Sequence, residues 1–309
     1  MRVAIVGTGA IGGFVGTRLI AAGAEVAFLA RGATLDALRR TGLRTYSATG
    51  DVAVGPVTAS DDPAALGPAD AVLFCVKRYD TAAAAAACRP LLKPGTPVIS
   101  LQNGVGAAEE IASVLGPGRA VGGAAYMTVS MTEPGVVRHT GAFTRLDLGP
   151  GEGAAAATIA ALREVAANAG IDATVRPDIE VALWRKFVLL AGTSALTALT
   201  RQPLGWVRDD PVARTVLHAA VAECAAVAAA RKVGLPADAA AETIAGIDRQ
   251  PAGLKASQLT DLERGRRLEL DWTSGAIVRM GRESGVPTPV HATVYAALAP
   301  FKGGRVASR

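Results

Sequence analysis

Hydrophobic and polar positions divide this chain into two regions of different rhythm. Up to about residue 150, short β-branched apolar runs alternate with alanine-rich stretches, and 3–6, 25–29, 71–76 and 98–101 read as strands. Strands separated by helical segments predict a parallel sheet with crossover helices. Residues 42–59 alternate polar and apolar with period two and predict an antiparallel insertion. Residues 135–149 read as a hairpin closing this region, 154–170 as one more helix, and 173–175 as a strand. After Pro177 strand signals stop, and helical patterns run over 178–200, 211–233, 237–247, 254–264, 268–284 and 290–298. Pro211, directly after Asp209 and Asp210, is a strong helix start, with acids at the cap and proline in the first turn. A chain of 309 residues exceeds one small core. The pattern predicts an α/β domain over 1–176 and an all-helical domain over 177–309.

The most specific chemistry follows the first strand. Gly7, Gly9 and Gly12, with Thr8, Ala10 and Ile11 between them, form G-x-G-x-x-G between a strand and a helix. Gly7 permits a tight turn, Gly9 lets backbone approach a pyrophosphate, and Gly12 lets the helix pack on the strand, as in a Rossmann-type dinucleotide-binding unit. Phosphate then rests on the helix N-terminus, where unpaired N–H groups and the helix dipole both favour negative charge. The second strand leads to Arg31, and no acid follows until Asp36. Arginine at this point favours a ribose 2′-phosphate over a free hydroxyl, so NADP(H) is expected rather than NAD(H); a solvated surface arginine is the plainer alternative. Two further strand ends carry Lys77 and the run Gln102, Asn103, Gly104. Ligands of open α/β sheets bind outside the carboxyl ends of strands. Lys77 reads equally as a surface lysine, and Asn103 as part of an Asn-Gly turn.

Composition narrows the partners. Half the residues are hydrophobic, and the net charge of +5 is spread along the chain, with its densest basic spot at 264–267 interrupted by acids on either side. Aromatic residues make up only 4%, which leaves little stacking material for nucleic acid. A mildly positive surface suits an anionic cofactor and an acidic small-molecule substrate. Cys75, Cys88 and Cys224 are odd in number and widely spaced, which argues against a disulfide framework and a zinc site and points to a reducing cytoplasm. The apolar N-terminus is a strand too short for a signal peptide. The best membrane candidate, 187–200, is short and flanked by Arg185, Lys186 and Arg201, so a buried helix is expected. His139, His218 and His291 have no nearby acid in sequence and read as structural or exposed.

In the helical region Lys186 is the charge most out of place, set among apolar neighbours. Burial would lower its pKa and make it a usable proton donor, although lysines also snorkel from such helices. Glu269 is the matching acid, otherwise a favourable first-turn carboxylate. Together with GTGAIG (7–12), CVKRYDT (75–81), LQNGVG (101–106), WRKF (184–187), ALTALT (195–200) and the segment 263–291, these residues make the chain similar, end to end, to the ketopantoate (2-dehydropantoate) reductases. The resemblance implies a two-domain NADPH-dependent reductase that delivers hydride to the keto carbon of a 2-oxo acid. It implies Lys186 as proton donor, Asn103 near substrate and nicotinamide, Arg31 and Lys77 on the cofactor, Ser257 on the substrate, Glu269 ordering the site and touching the cofactor, and Thr128 at a backbone contact with the cofactor. Departures fall where substrate binds: Leu190, Ser194 and Leu204 stand where the family presents asparagines, as does Ser274. The alanine-rich helical region offers surfaces for a homodimer.

Overall fold

The computed structural model describes residues 1–304, apart from the side chain of Ala142; the last five residues assigned to the helical domain lie outside the described residues. The chain divides into two compact units, Met1–Ile179 and Glu180–Arg309.

The first unit runs β1 (Arg2–Val6), α1 (Ala10–Ala21), β2 (Glu25–Leu29), α2 (Gly32–Arg40), β3 (Leu43–Ser47), β4 (Val52–Val54), β5 (Thr58–Ser60), β6 (Ala71–Phe74), α3 (Thr81–Ala87), β7 (Val98–Ser100), α4 (Ala107–Leu115), β8 (Ala120–Glu133), β9 (Val136–Leu148), α5 (Ala154–Asn168) and β10 (Asp172–Val175). The strands form one sheet in the order β4-β3-β9-β8-β7-β6-β1-β2-β5, with β10 added beside β9. From β5 to β8 every pairing is parallel. The chain builds outward from β1 to β2 and β5, then returns across β1 to start β6, so order reverses between β1 and β6. In open α/β sheets ligands bind at such a reversal, outside the strands' carboxyl ends.

Period-two alternation splits β1 between two cores. Val3 and Ile5 join Phe14, Leu19 and Phe28 on one face of the sheet, while Ala4 and Val6 join Phe74, Leu91 and Ile111 on the other. A strand apolar on both sides is what a sheet covered by helices on both faces requires.

Three expectations need correction. Residues 42–59 do contain an antiparallel pair, β3 with β4, but β5 leaves it to extend the parallel side against β2. The hairpin is larger than 135–149, because its first arm is the whole of β8, which pairs antiparallel with β9. Gly122, Gly123 and the polar Thr128, Ser130 and Thr132 dilute the strand signal there. Strands β6 and β7 also stop at Phe74 and Ser100, short of the expected ends, which leaves Cys75 to Lys77 and Leu101 to Asn103 as loops.

The second unit is helical throughout its described residues: α6 (Ile179–Thr200), α7 (Leu204–Asp209), α8 (Pro211–Ala230), α9 (Ala239–Asp248), α10 (Ser257–Glu263), α11 (Ser274–Ser284) and α12 (Pro289–Leu298). Helix α7 was not anticipated from the sequence. The expected cap of α8 is present, Asp210 Oδ1 accepting from the Val212 and Ala213 amides at 3.1 and 2.8 Å. The expected helix 268–284 is broken: a 3-10 turn covers Leu270–Trp272, and α11 starts only after Thr273, whose ψ is −104°.

His291 locks three helices together. It is fully buried, with Nε2 2.9 Å from the Ala220 carbonyl and Nδ1 3.2 Å from Ser274 Oγ. Glu223 of α8 accepts from the Val290 and His291 amides at 2.8 and 3.0 Å and so caps α12 from outside. By length and composition alone α6 and α8 could cross a membrane, but 67% of the apolar window of α6 is buried inside the protein. Helix α8 carries Arg214, paired through both nitrogens with Asp248 at 2.8 Å.

Candidate active site

Within the first unit the loops after β1, β2, β6 and β7 meet along one edge of the sheet. The turn after β1 is dictated by the protein itself at two of its glycines. Gly7 has φ +94°, and a Cβ there would lie 2.7 Å from Val76 N and Cγ1; at Gly12 it would lie 2.4 Å from the Gly7 carbonyl oxygen. Gly9 is different. Its φ and ψ of −83° and −158° suit any residue, and a Cβ would meet nothing within 4 Å. The protein does not need glycine there for its own packing; the missing side chain leaves space above the turn.

Helix α1 begins in that space with no side-chain cap and no acid in its first turn. Its uncapped amides keep the partial positive charge of a helix start. Thr8 is 7% exposed, and its Oγ1 is buried without a hydrogen-bond partner. Ala10 and Ile11 open the helix and are half-buried. An open glycine, an uncapped helix start and an orphaned hydroxyl are the features that a bound pyrophosphate would use.

Arg31 follows β2, exposed, with Nη2 3.7 Å from Asp80 Oδ2. Lys77 follows β6, half-buried, and Asn103 follows β7, also half-buried. Two buried side chains tie these last two loops together. Gln102 Nε2 donates to the Val76 carbonyl at 3.1 Å and to Thr81 Oγ1 at 2.9 Å, while its Oε1 accepts from Ser100 Oγ at 3.0 Å. Arg78, 3% exposed, donates to the Val105 carbonyl at 3.0 Å and to Glu110 Oε2 at 2.9 Å. The sequence pointed to Gln102 only as part of a strand end and missed Arg78; polar residues directly beside Lys77 and Asn103 were the available signal. Thr128 is exposed on the part of β8 that runs on past its last pairing with β7 at Gly122.

In the second unit Lys186, Leu190 and Ser194 follow one another at four-residue steps on α6 and share a face. Lys186 and Leu190 are half-buried and Ser194 is buried. Ser257 is the exposed first residue of α10, and Glu269 stands half-buried immediately before the 3-10 turn. Gln258, buried beside Ser257, accepts from Thr273 Oγ1 at 2.9 Å and reaches the Ser194 carbonyl at 3.5 Å, connecting the three segments that carry the candidates. Leu204 has no exposed surface, and Ser274 is consumed by His291.

No group of three or more His, Cys, Asp or Glu side chains among the described residues could hold a metal ion. The cysteines are free, and burial pushes their thiols up, Cys75 to about 12 and Cys88 to about 11, so none is primed as a nucleophile.

Residues 3–153 match the family described as Ketopantoate reductase PanE/ApbA, and residues 178–302 match its C-terminal counterpart. The chain belongs to the ketopantoate reductase family. It is 31% identical to a 2-dehydropantoate 2-reductase of Mesorhizobium japonicum, over 97% of this chain and 96% of that protein. It is 33% identical to one from Halobacterium salinarum, over 95% and 96%. The crystal structure of a PanE/ApbA family ketopantoate reductase from Ralstonia eutropha superimposes with a TM-score of 0.88 at 36% identity, covering 98% of each chain. Membership makes this protein an oxidoreductase of a dinucleotide-binding family, with the expected Rossmann-type unit followed by a helical one.

Proposed function

We propose that this protein uses NADPH to reduce a 2-oxo acid to a 2-hydroxy acid, with ketopantoate and pantoate as the substrate and product suggested by its relatives. The observation that carries the reading is the open Gly9 turn, which no packing demand of the protein explains, at the point where the strand order reverses. The residues proposed to hold the cofactor are Gly7, Thr8, Gly9, Ala10, Ile11 and Gly12, with Arg31 on the 2′-phosphate and Lys77, Asn103, Thr128 and Glu269 along its length. When bound, NADPH supplies the hydride that the keto carbon accepts.

The chain's own contribution is electrostatic and protonic. As the carbonyl oxygen gains negative charge, the Lys186 ammonium stabilises it and gives up a proton to it. Asn103 and Ser257 orient the acid, and Glu269 helps order the site. The residues shared with the family favour turnover over a non-catalytic NADP(H)-sensing role, since a sensor has no use for a proton donor. Exposed Trp206 and Val212 on the helical unit extend the proposal to a homodimer, which light scattering in solution tests.

One observation favours a variant of this reading. An apolar Leu190, one turn from Lys186, suits a 2-oxo acid less polar than ketopantoate. The test is NADPH consumption, followed by absorbance, against a panel of 2-oxo acids that includes ketopantoate and plain branched-chain members. Turnover of at least one supports the reductase, and the rank order decides the substrate. NADPH binding without turnover of any would favour a sensor.

A further inference from the structure

The acid missing from the end of β2 is delivered by a different strand. Asp80 ends the 3-10 turn Arg78–Asp80 after β6, and its Oδ2 lies 3.7 Å from Arg31 Nη2. Asp80 immediately precedes α3, where an aspartate ordinarily accepts a hydrogen bond from the helix amides. Here it makes no such cap bond. Its backbone is held on both sides: its own amide donates to the Lys77 carbonyl at 2.9 Å, and Thr81 Oγ1 donates to the Arg78 carbonyl at 2.7 Å. Gln102 and Arg78 fix the same turn from beneath. A carboxylate is thus presented by a braced backbone beside the one arginine proposed to read the ribose.

We propose that Asp80 sets cofactor selectivity by competing with the 2′-phosphate for Arg31, lowering the preference for NADP(H) over NAD(H). The inference rests on the reading of Arg31 as the 2′-phosphate ligand. The opposite role, with Asp80 orienting Arg31 for the phosphate, would need a tight pair. At 3.7 Å, with the arginine side chain 78% exposed, the contact is a loose surface pair that restrains the guanidinium little. Repulsion between the carboxylate on this braced backbone and an incoming phosphate dianion remains, because both must sit within reach of the same cation.

The experiment is calorimetric titration of the wild type, Asp80→Asn and Arg31→Ala with NADP+, NAD+, 2′,5′-ADP and 5′-AMP, without substrate. Asp80→Asn is expected to tighten NADP+ and 2′,5′-ADP about threefold or more at low salt, and to leave NAD+ and 5′-AMP unchanged. The gain should fade at roughly 0.5 M salt, where screening shortens the reach of the carboxylate. Unchanged or weakened binding of 2′,5′-ADP in Asp80→Asn overturns the proposal. Arg31→Ala separates the two failures. If it abolishes the preference for 2′,5′-ADP over 5′-AMP while Asp80→Asn has no effect, the role of Asp80 alone is wrong; if it leaves the preference intact, the reading of Arg31 falls and the proposal falls with it.

Discussion

Gln102 bonds the Val76 carbonyl and the Thr81 hydroxyl with one amide nitrogen, at 3.1 and 2.9 Å, and so ties the loop that carries Asn103 to the loop that carries Lys77. Both loops lie past the last ladder bonds of β7 and β6, where nothing in the sheet itself fixes their spacing. Replacing Gln102 with leucine strands these polar groups in a buried place, at a cost of about 1–3 kcal/mol. Melting temperature should fall by several degrees, and KM for cofactor or substrate should rise. A variant with unchanged melting temperature and unchanged KM would mean that the loops are spaced by something else.

The glycine turn separates packing from function residue by residue. Gly9→Ala should fold normally, because its Cβ meets nothing within 4 Å and its φ is negative. The added methyl occupies the space proposed for the pyrophosphate, so NADP+ affinity should drop by about tenfold or more, on the order of 1.4 kcal/mol. Gly12→Ala should instead lose stability, since its Cβ would press to 2.4 Å from the Gly7 carbonyl. Thermal melts of both variants beside NADP+ titration check the contrast; equal destabilisation by the two would refute it.

What the sequence revealed and what it hid follow from the range of the interactions. The strand, glycine turn and helix at the N-terminus were readable because apolar period and glycine spacing act over a dozen residues. The cap at Asp210 was readable for the same reason. Gln102, Arg78 and Asp80 act on residues that are distant in sequence and neighbouring only because β6 lies between β1 and β7. Their side chains are ordinary loop polars until the sheet order is known. Strand β8 was hidden because its glycines and its solvent-facing threonines resemble a turn-rich connection, and from Gly123 onward the partner that makes it a strand is β9. The break at Thr273 was hidden in a segment whose apolar spacing continues across it.

His291 should make stability depend on pH. Desolvation by burial lowers its pKa below the usual 6.5, outweighing the carbonyl of Ala220 and the charge of Glu223, both of which raise it. Because the unfolded chain binds the proton more readily, the full contribution is present above about 6.5 and is lost as pH falls below that value. The loss is up to about 1.4 kcal/mol per pH unit until the folded-state group also protonates. Denaturant unfolding between pH 7.5 and 5 should therefore show a steeper decline in the wild type than in His291→Gln. Parallel curves would assign the acid sensitivity to other groups.

Lys186 is proposed as the proton donor, and its removal should be felt in chemistry before binding. Lys186→Ala should lower kcat by about 100-fold or more, the usual scale for a positioned general acid. NADP+ affinity and melting temperature should stay near those of the wild type, because the cofactor candidates apart from Glu269 lie in the other unit. Near-normal turnover in the variant would remove Lys186 from the mechanism.

Leu190 is proposed to decide how the substrate is read. Ketopantoate carries a hydroxyl that an asparagine could hydrogen-bond, and at this position the chain offers an apolar wall one turn from Lys186. A buried hydroxyl left unpaired costs about 1–3 kcal/mol, whereas an apolar pocket rejects an added hydroxyl by about 100-fold at most. Ketopantoate should therefore be turned over, but with kcat/KM below that of its deoxy analogue 2-oxo-3,3-dimethylbutanoate. Leu190→Asn should narrow or reverse that order by restoring a partner for the hydroxyl. Ser194, one turn further on the same face, is buried and offers a second hydroxyl, so Ser194→Ala in the wild-type background separates its contribution from that of Leu190. If the wild type strongly prefers ketopantoate and Leu190→Asn does not improve it, the hydroxyl is read by other residues and Leu190 is only part of the helix packing.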